Sequence, residues 1–174
     1  MINKVKASLS EKILFVFLVI LFLITFGSYF LLKDKCLFVK NIDPNKINFT
    51  NTDNIAIMNV ECGNVIIELD PITSPNSVQR FKTLIKNGSY DGSTFYRVIK
   101  NTLIQAGDIE YGNINDLNYT KIGTGKSGLG LLKSELSDAF QFKKGSVAFA
   151  RKDDFDTEDS QFFITLKDIP IYQG

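Results

Sequence analysis

The sequence predicts a mainly β domain, a closed β-barrel with a capping helix, carried behind an N-terminal transmembrane helix. Three observations predict it. Residues 13–32 form an apolar run without a single charge. Beyond residue 54, short apolar or alternating runs recur between Gly, Asn and Asp turn signals, as strands do. One early segment of that second part, starting at Pro75, carries helical periodicity with clear start and stop signals. Many short strands with one early helix suit a barrel with helical caps.

In order along the chain, residues 1–12 read as a cytoplasmic N-terminus and 13–32 as a transmembrane signal-anchor. The run ILFVFLVILFLITFGSYFLL would rise ~30 Å as a helix, the hydrocarbon thickness of a bilayer. A buried core helix is rarely apolar on every face, and an interfacial helix is more polar. The rival reading is a cleaved signal peptide, for which Thr25-Phe26-Gly27 offers a small-x-small site. Lys4, Lys6 and Lys12 precede the run, while Lys33, Lys35 and Lys40 follow it. That bias toward a cytoplasmic N-terminus is small. It places the remainder outside the cell membrane in a single-pass arrangement. Residues 33–53, rich in Lys, Asn, Asp and Thr, read as a polar linker.

The domain proper is expected over 54–174. Asn54–Val60 and Asn64–Leu69 form a hairpin around Cys62-Gly63-Asn64. Thr73 or Ser74 can cap the helix that Pro75 opens. Val78, Phe81, Leu84 and Ile85 share its apolar face, and Asn87-Gly88 ends it. Strands follow at Thr94–Ile99, Leu103–Gln105, Ser146–Ala150 and Gln161–Thr165, with a Gly-, Asn- and Thr-rich loop over 107–130.

Composition removes several function classes. Twenty Lys and Arg balance nineteen Asp and Glu, giving a net charge of +1 with no basic block, so nucleic acid is not an expected partner. Histidine is absent. That excludes His-based metal sites, Ser-His and Cys-His pairs and an imidazole base. Neither a metal nor a cofactor is expected. The glycines of 123–130 lack the spacing of a phosphate-binding loop. Cys36 and Cys62 are too few for a disulfide framework. They read as a linker thiol and a turn residue, with pairing open if the domain lies outside the cytoplasm.

Four runs carry the chemistry: Phe95-Tyr96-Arg97-Val98-Ile99, Gln105-Ala106-Gly107-Asp108, Phe149-Ala150-Arg151 and Ser160-Gln161-Phe162-Phe163-Ile164. They place two guanidiniums, Arg97 and Arg151, and two carboxamides, Gln105 and Gln161, among apolar side chains, a set suited to a reaction without proton transfer. In order and spacing they resemble cyclophilin-type peptidyl-prolyl cis–trans isomerases, closest to the bacterial branch. That family's Phe-His-Arg-Val-Ile, Gln-Gly-Gly-Asp, Met-Ala-Arg and Ser-Gln-Phe-Phe-Ile align with them, and Gly123–Gly128 and Glu135 sit where the family has its own. The resemblance spans about Ala56 to Gly174. It implies a cyclophilin-like barrel that isomerises proline-containing segments; joined to the membrane segment, the leading reading is an anchored, monomeric isomerase that assists the folding of exported proteins. By the same resemblance Arg97 is the donor to the proline nitrogen and Gln105 orients it. Leu103 and Phe163 would line the proline pocket beside Thr102, and Phe149, Ala150, Arg151, Gln161 and Tyr172 would hold the peptide. The competing reading is a non-catalytic, membrane-tethered module that binds proline peptides.

The chain departs from the family in three places. Tyr96 replaces a histidine and, by strand alternation, should face away from Arg97. Thr102 replaces a pocket phenylalanine, a loss worth ~1–2 kcal/mol of binding from the apolar area removed. The sequence also stops at Ile171-Tyr172-Gln173-Gly174, where relatives continue into the strands that close the barrel. It is therefore expected to be a fragment of a longer product, with unpaired strand edges.

Overall fold

The computed structural model describes residues 8–33, 36, 39, 42–137 and 140–170. The chain divides into two compact units: Met1–Asn48 with Ile57–Val65, and Phe49–Ala56 with Ile66–Gly174.

In the first unit, helix α1 spans Leu9–Lys33. It begins before the apolar run because Ser8 and Glu11 form a capping box. The Ser8 N–H donates to Glu11 Oε2 at 2.6 Å, and the Glu11 N–H donates to Ser8 Oγ at 3.3 Å. Its 25 residues rise about 37 Å, and all of them are exposed. By length and composition it can cross a membrane. Beyond it, Cys36 and Cys62 are joined in a disulfide with Cα atoms 4.9 Å apart. The pairing left open by the sequence is thus made; Cys62 lies in the hairpin turn, and its sulfur is bonded rather than a spectator.

The hairpin is built of β1 (Ile55–Val60) and β2 (Gly63–Glu68). In the second unit α2 (Pro75–Lys86) follows, then β3 (Arg97–Ile99), β4 (Leu103–Ala106), β5 (Val147–Phe149) and β6 (Phe162–Thr165). The last four form an antiparallel sheet in the order β3-β4-β6-β5. Among the described residues neither sheet closes on itself, so the observed architecture is an open sheet with a helix rather than a closed barrel. β3 is shorter than expected. The N–H and Oγ1 of Thr94 both donate to the Gly112 carbonyl, which ties residue 94 to a loop rather than to β4.

The core lies between α2 and one face of the sheet. Val78, Phe81 and Leu84 are buried as their spacing predicts, whereas Ile85 is 40% exposed. The Phe81 ring sits 5.3 Å from Tyr90, 5.4 Å from Phe162 and 6.1 Å from Phe149 between centroids, mostly edge to face. Ser74 occupies the N-cap position, but its hydroxyl donates to the Asp70 carbonyl instead of capping. The cap comes from Glu135, far along the sequence. Its carboxylate accepts the Asn76 N–H at 2.9 Å, the Asn76 side chain at 2.8 Å and the Ser77 N–H at 2.8 Å. At the other end Ser89 N–H bonds Leu84 O and Gly88 N–H bonds Ile85 O, with Gly88 at φ +68°. That is a Schellman stop, which a glycine at this position permits.

Candidate active site

Strand register gathers the polar residues. Arg97 on β3 lies directly opposite Gln105 on β4, and Gln105 lies opposite Phe163 on β6. Directly opposed residues of antiparallel strands share a face, so these three project to the same side. Phe149 and Phe162, one position out of phase, point to the α2 side and pack on Phe81. Phe163 is half-buried and stacks on Phe142, with centroids 5.7 Å apart.

The exposed Arg97 guanidinium donates from Nη1 to Gln105 Oε1 at 3.0 Å. Gln105 itself is 8% exposed. Its Nε2 donates to the Tyr96 hydroxyl and, at 3.3 Å, to Gln161 Oε1. The Tyr96 hydroxyl donates in turn to Gln161 Oε1. Gln161 Nε2 donates to the carbonyls of Gly123 and Gly125 at 3.2 and 3.1 Å. Tyr96 thus does not turn away from the arginine's partners, as alternation predicted. It precedes β3, so strand periodicity does not govern it. Burial, with the negative charge of Asp108, pushes its phenol up to about 12 against the opposing pull of Gln105 and Arg97.

The loop that receives Gln161 is held by Asp108, which is 1% exposed. One carboxylate oxygen accepts Gly123 N–H at 2.6 Å and Gly125 N–H at 3.0 Å. The other accepts Glu110 N–H at 3.2 Å and Tyr111 N–H at 2.8 Å. A Cβ on Gly125 would stand 2.0 Å from Asp108 Oδ1, so only glycine fits this approach. A second brace joins α2 to the same region. Arg80 pairs with Asp159 at 2.9 Å, both side chains 10% exposed, and donates to the Gly130 carbonyl at 2.9 Å. Asp159 accepts the Ser127 N–H at 2.8 Å. A single Arg on a helix and one Asp in an acidic loop give no sequence signal of this pairing.

A groove of about 160 Å³ opens beside these groups, lined by Gln105, Gly125, Ala150, Arg151 and Gln161 among others. Four of the expected site residues therefore meet there. Arg97 and Phe163 stand beside Gln105 on the sheet face without lining the groove. Leu103 shares their face at 3% exposure, packed as core. Thr102 is a half-buried turn residue with its hydroxyl 3.3 Å from the Lys100 carbonyl. Phe149 lies on the opposite face, and Tyr172 falls outside the described residues. Arg151 stacks over Phe155 at 4.6 Å and donates to the Lys152 and Asp153 carbonyls.

The family model described as cyclophilin type peptidyl-prolyl cis-trans isomerase/CLD matches residues 55–174. The chain belongs to this family. A probable peptidyl-prolyl cis-trans isomerase of Brucella suis biovar 1 is 35% identical to this cyclophilin over 123 residues, covering 70% of this chain and 62% of that protein. A peptidyl-prolyl cis-trans isomerase of Acinetobacter baylyi is 34% identical over 111 residues, covering 64% and 54%. The chain thus spans about three fifths of the length of the curated relatives it matches. Among solved structures, a Cryptosporidium parvum cyclophilin type isomerase aligns with TM-score 0.56 at 28% identity, covering 64% of this chain and 66% of that one. The same protein in the presence of the dipeptide Ala-Pro aligns with TM-score 0.55 at 26% identity, covering 64% and 67%.

Proposed function

We propose that this chain is a membrane-anchored isomerase that speeds cis–trans exchange of X-Pro bonds in proline-containing segments of exported proteins. Resonance sets the barrier to rotation at ~18–20 kcal/mol, and twisting the amide localises a lone pair on the proline nitrogen. The Arg97 guanidinium, held by Gln105, donates to that lone pair. The interaction is stronger in the twisted state than in the planar one, which is what lowers a barrier. Phe163 supplies the apolar wall for the proline ring, Gln161 with Ala150 and Arg151 supplies polar contacts to the preceding peptide, and no proton has to move. The observation that carries this reading is the 3.0 Å bond from Arg97 to a buried Gln105 on adjacent strands of a cyclophilin fold. The related Cryptosporidium parvum protein studied with Ala-Pro supports a proline peptide as ligand.

The anchor is α1, and the Cys36–Cys62 bond supports an extracytoplasmic domain, since such bonds persist in oxidising compartments. The test is an NMR exchange or protease-coupled assay on an X-Pro peptide with the full chain in nanodiscs. Acceleration at micromolar protein is expected. Peptide binding with only the uncatalysed rate would favour the second reading, a proline-peptide-binding module. Thr102, which offers no aromatic wall, is the residue that favours it.

A further inference from the structure

We propose that the Tyr96 hydroxyl is a positioning residue, fixing the directions of the Gln105 and Gln161 carboxamides and through them the Arg97 guanidinium. The inference rests on the isomerase reading for its kinetic consequence and on geometry for the rest. A carboxamide has an accepting end and a donating end, and either can face a given neighbour. Arg97 can only donate, so it draws Gln105 Oε1 and turns Gln105 Nε2 inward. Two carbonyls, Gly123 O and Gly125 O, can only accept, so they draw Gln161 Nε2 and turn Gln161 Oε1 inward. A donating and an accepting end then face each other at 3.3 Å. The Tyr96 hydroxyl does both tasks between them, accepting from Gln105 and donating to Gln161. All six groups are then ordered in one direction. The ring is also seated: a Cβ on Gly123 would stand 3.1 Å from its edge, so the loop's backbone lies against the phenol. Arg97 and Asp108 are the charged groups that act on it.

The test uses the full chain in nanodiscs and Tyr96→Phe, which removes one oxygen and keeps the ring. Side-chain amide spectra come first, because they need no activity. In the wild type, the carboxamide protons of Gln105 and Gln161 should exchange slowly, unlike those of exposed Gln141. In Tyr96→Phe both pairs should shift and lose protection. Kinetically, kcat should fall about tenfold with KM within about twofold, since the peptide surface is unchanged. Wild-type carboxamides exchanging as fast as Gln141 would overturn the proposal without reference to any variant. So would unaltered carboxamide signals, or wild-type kcat, in a folded Tyr96→Phe. A wild-type chain with protected carboxamides that Tyr96→Phe releases, yet without isomerase activity, would sink the isomerase reading and leave the positioning role standing.

Discussion

Arg97 is solvent-exposed while its partner Gln105 is almost wholly buried, and the two should respond differently to substitution. Arg97→Ala should lower kcat/KM by ~100-fold, the usual effect of losing one transition-state donor, while leaving the melting temperature within a few degrees. A wild-type rate from that variant would remove Arg97 from the mechanism. The pH profile follows from Tyr96. With no histidine in the chain and the Tyr96 phenol pushed up to about 12, the network keeps its protonation state from about pH 6 to 9. A raised folded value means the contribution of the neutral phenol to stability is complete below the unfolded value near 10. It is lost only as pH rises toward 12. Measured kcat/KM should therefore be level across pH 6–9, and an inflection near 7 would show a titrating group outside this network.

At the scale of elements, distant acceptors hold the ends of helices and loops. Glu135→Ala removes three acceptor contacts from the first turn of α2 and should cost ~1 kcal/mol, read as a lower denaturation midpoint. Burial would raise the Glu135 carboxyl, but the N–H groups of Ser77 and Asn76 outweigh it and hold it below its ordinary value. A lowered folded value stabilises above the unfolded value and is lost on acidification through the folded one. The cap should thus begin to weaken as pH falls below the ordinary carboxyl value of 4.5, and the stability gap between wild type and Glu135→Ala should close as pH falls through the lowered folded value. Asp108→Ala is the more severe change. Four N–H groups around a buried carboxylate lose their acceptor, at ~3–5 kcal/mol, and melting should show it directly. Elements with local signals were legible in the sequence. Pro75 opens α2, Gly88 ends it, and β4 and β6 lie within a residue of their expected bounds. The acceptor for α2 was not, because a nearby Ser74 is the obvious cap by propensity while Glu135 arrives only through the fold. Tyr96 was misplaced for a related reason: alternation applies inside a strand, and Thr94's bonds to Gly112 end the strand early.

For the whole molecule, reading α1 as an anchor predicts that the full chain stays with membranes through a high-pH carbonate wash; release of a soluble product beginning at Ser28 would instead mark cleavage after Gly27. The apolar run was plain in composition, and the four motifs were plain by their order. What composition could not show is which groups touch. Two cysteines 26 residues apart, a lone Arg80 and a lone Asp159 each look ordinary until the chain is folded. The disulfide also carries a stability prediction: closing a loop of that length restricts the unfolded chain by about 3.5 kcal/mol in the chain-entropy description, so a reductant should lower the melting temperature by several degrees.

That same bond shortens a leash. Followed along the backbone, the polar stretch from Lys33 to Asn54 could pay out to ~70 Å of contour. Followed through sulfur, the tip of the hairpin at Cys62 stands only three residues and one cystine from the end of α1 at Lys33, ~10 Å of chain plus the 4.9 Å between the paired Cα atoms. The oxidised chain therefore keeps the hairpin tip within ~15 Å of the end of α1, whatever medium surrounds that helix. Reduction lets the line run, so the redox state of one cystine sets how far the hairpin tip can travel from the end of α1.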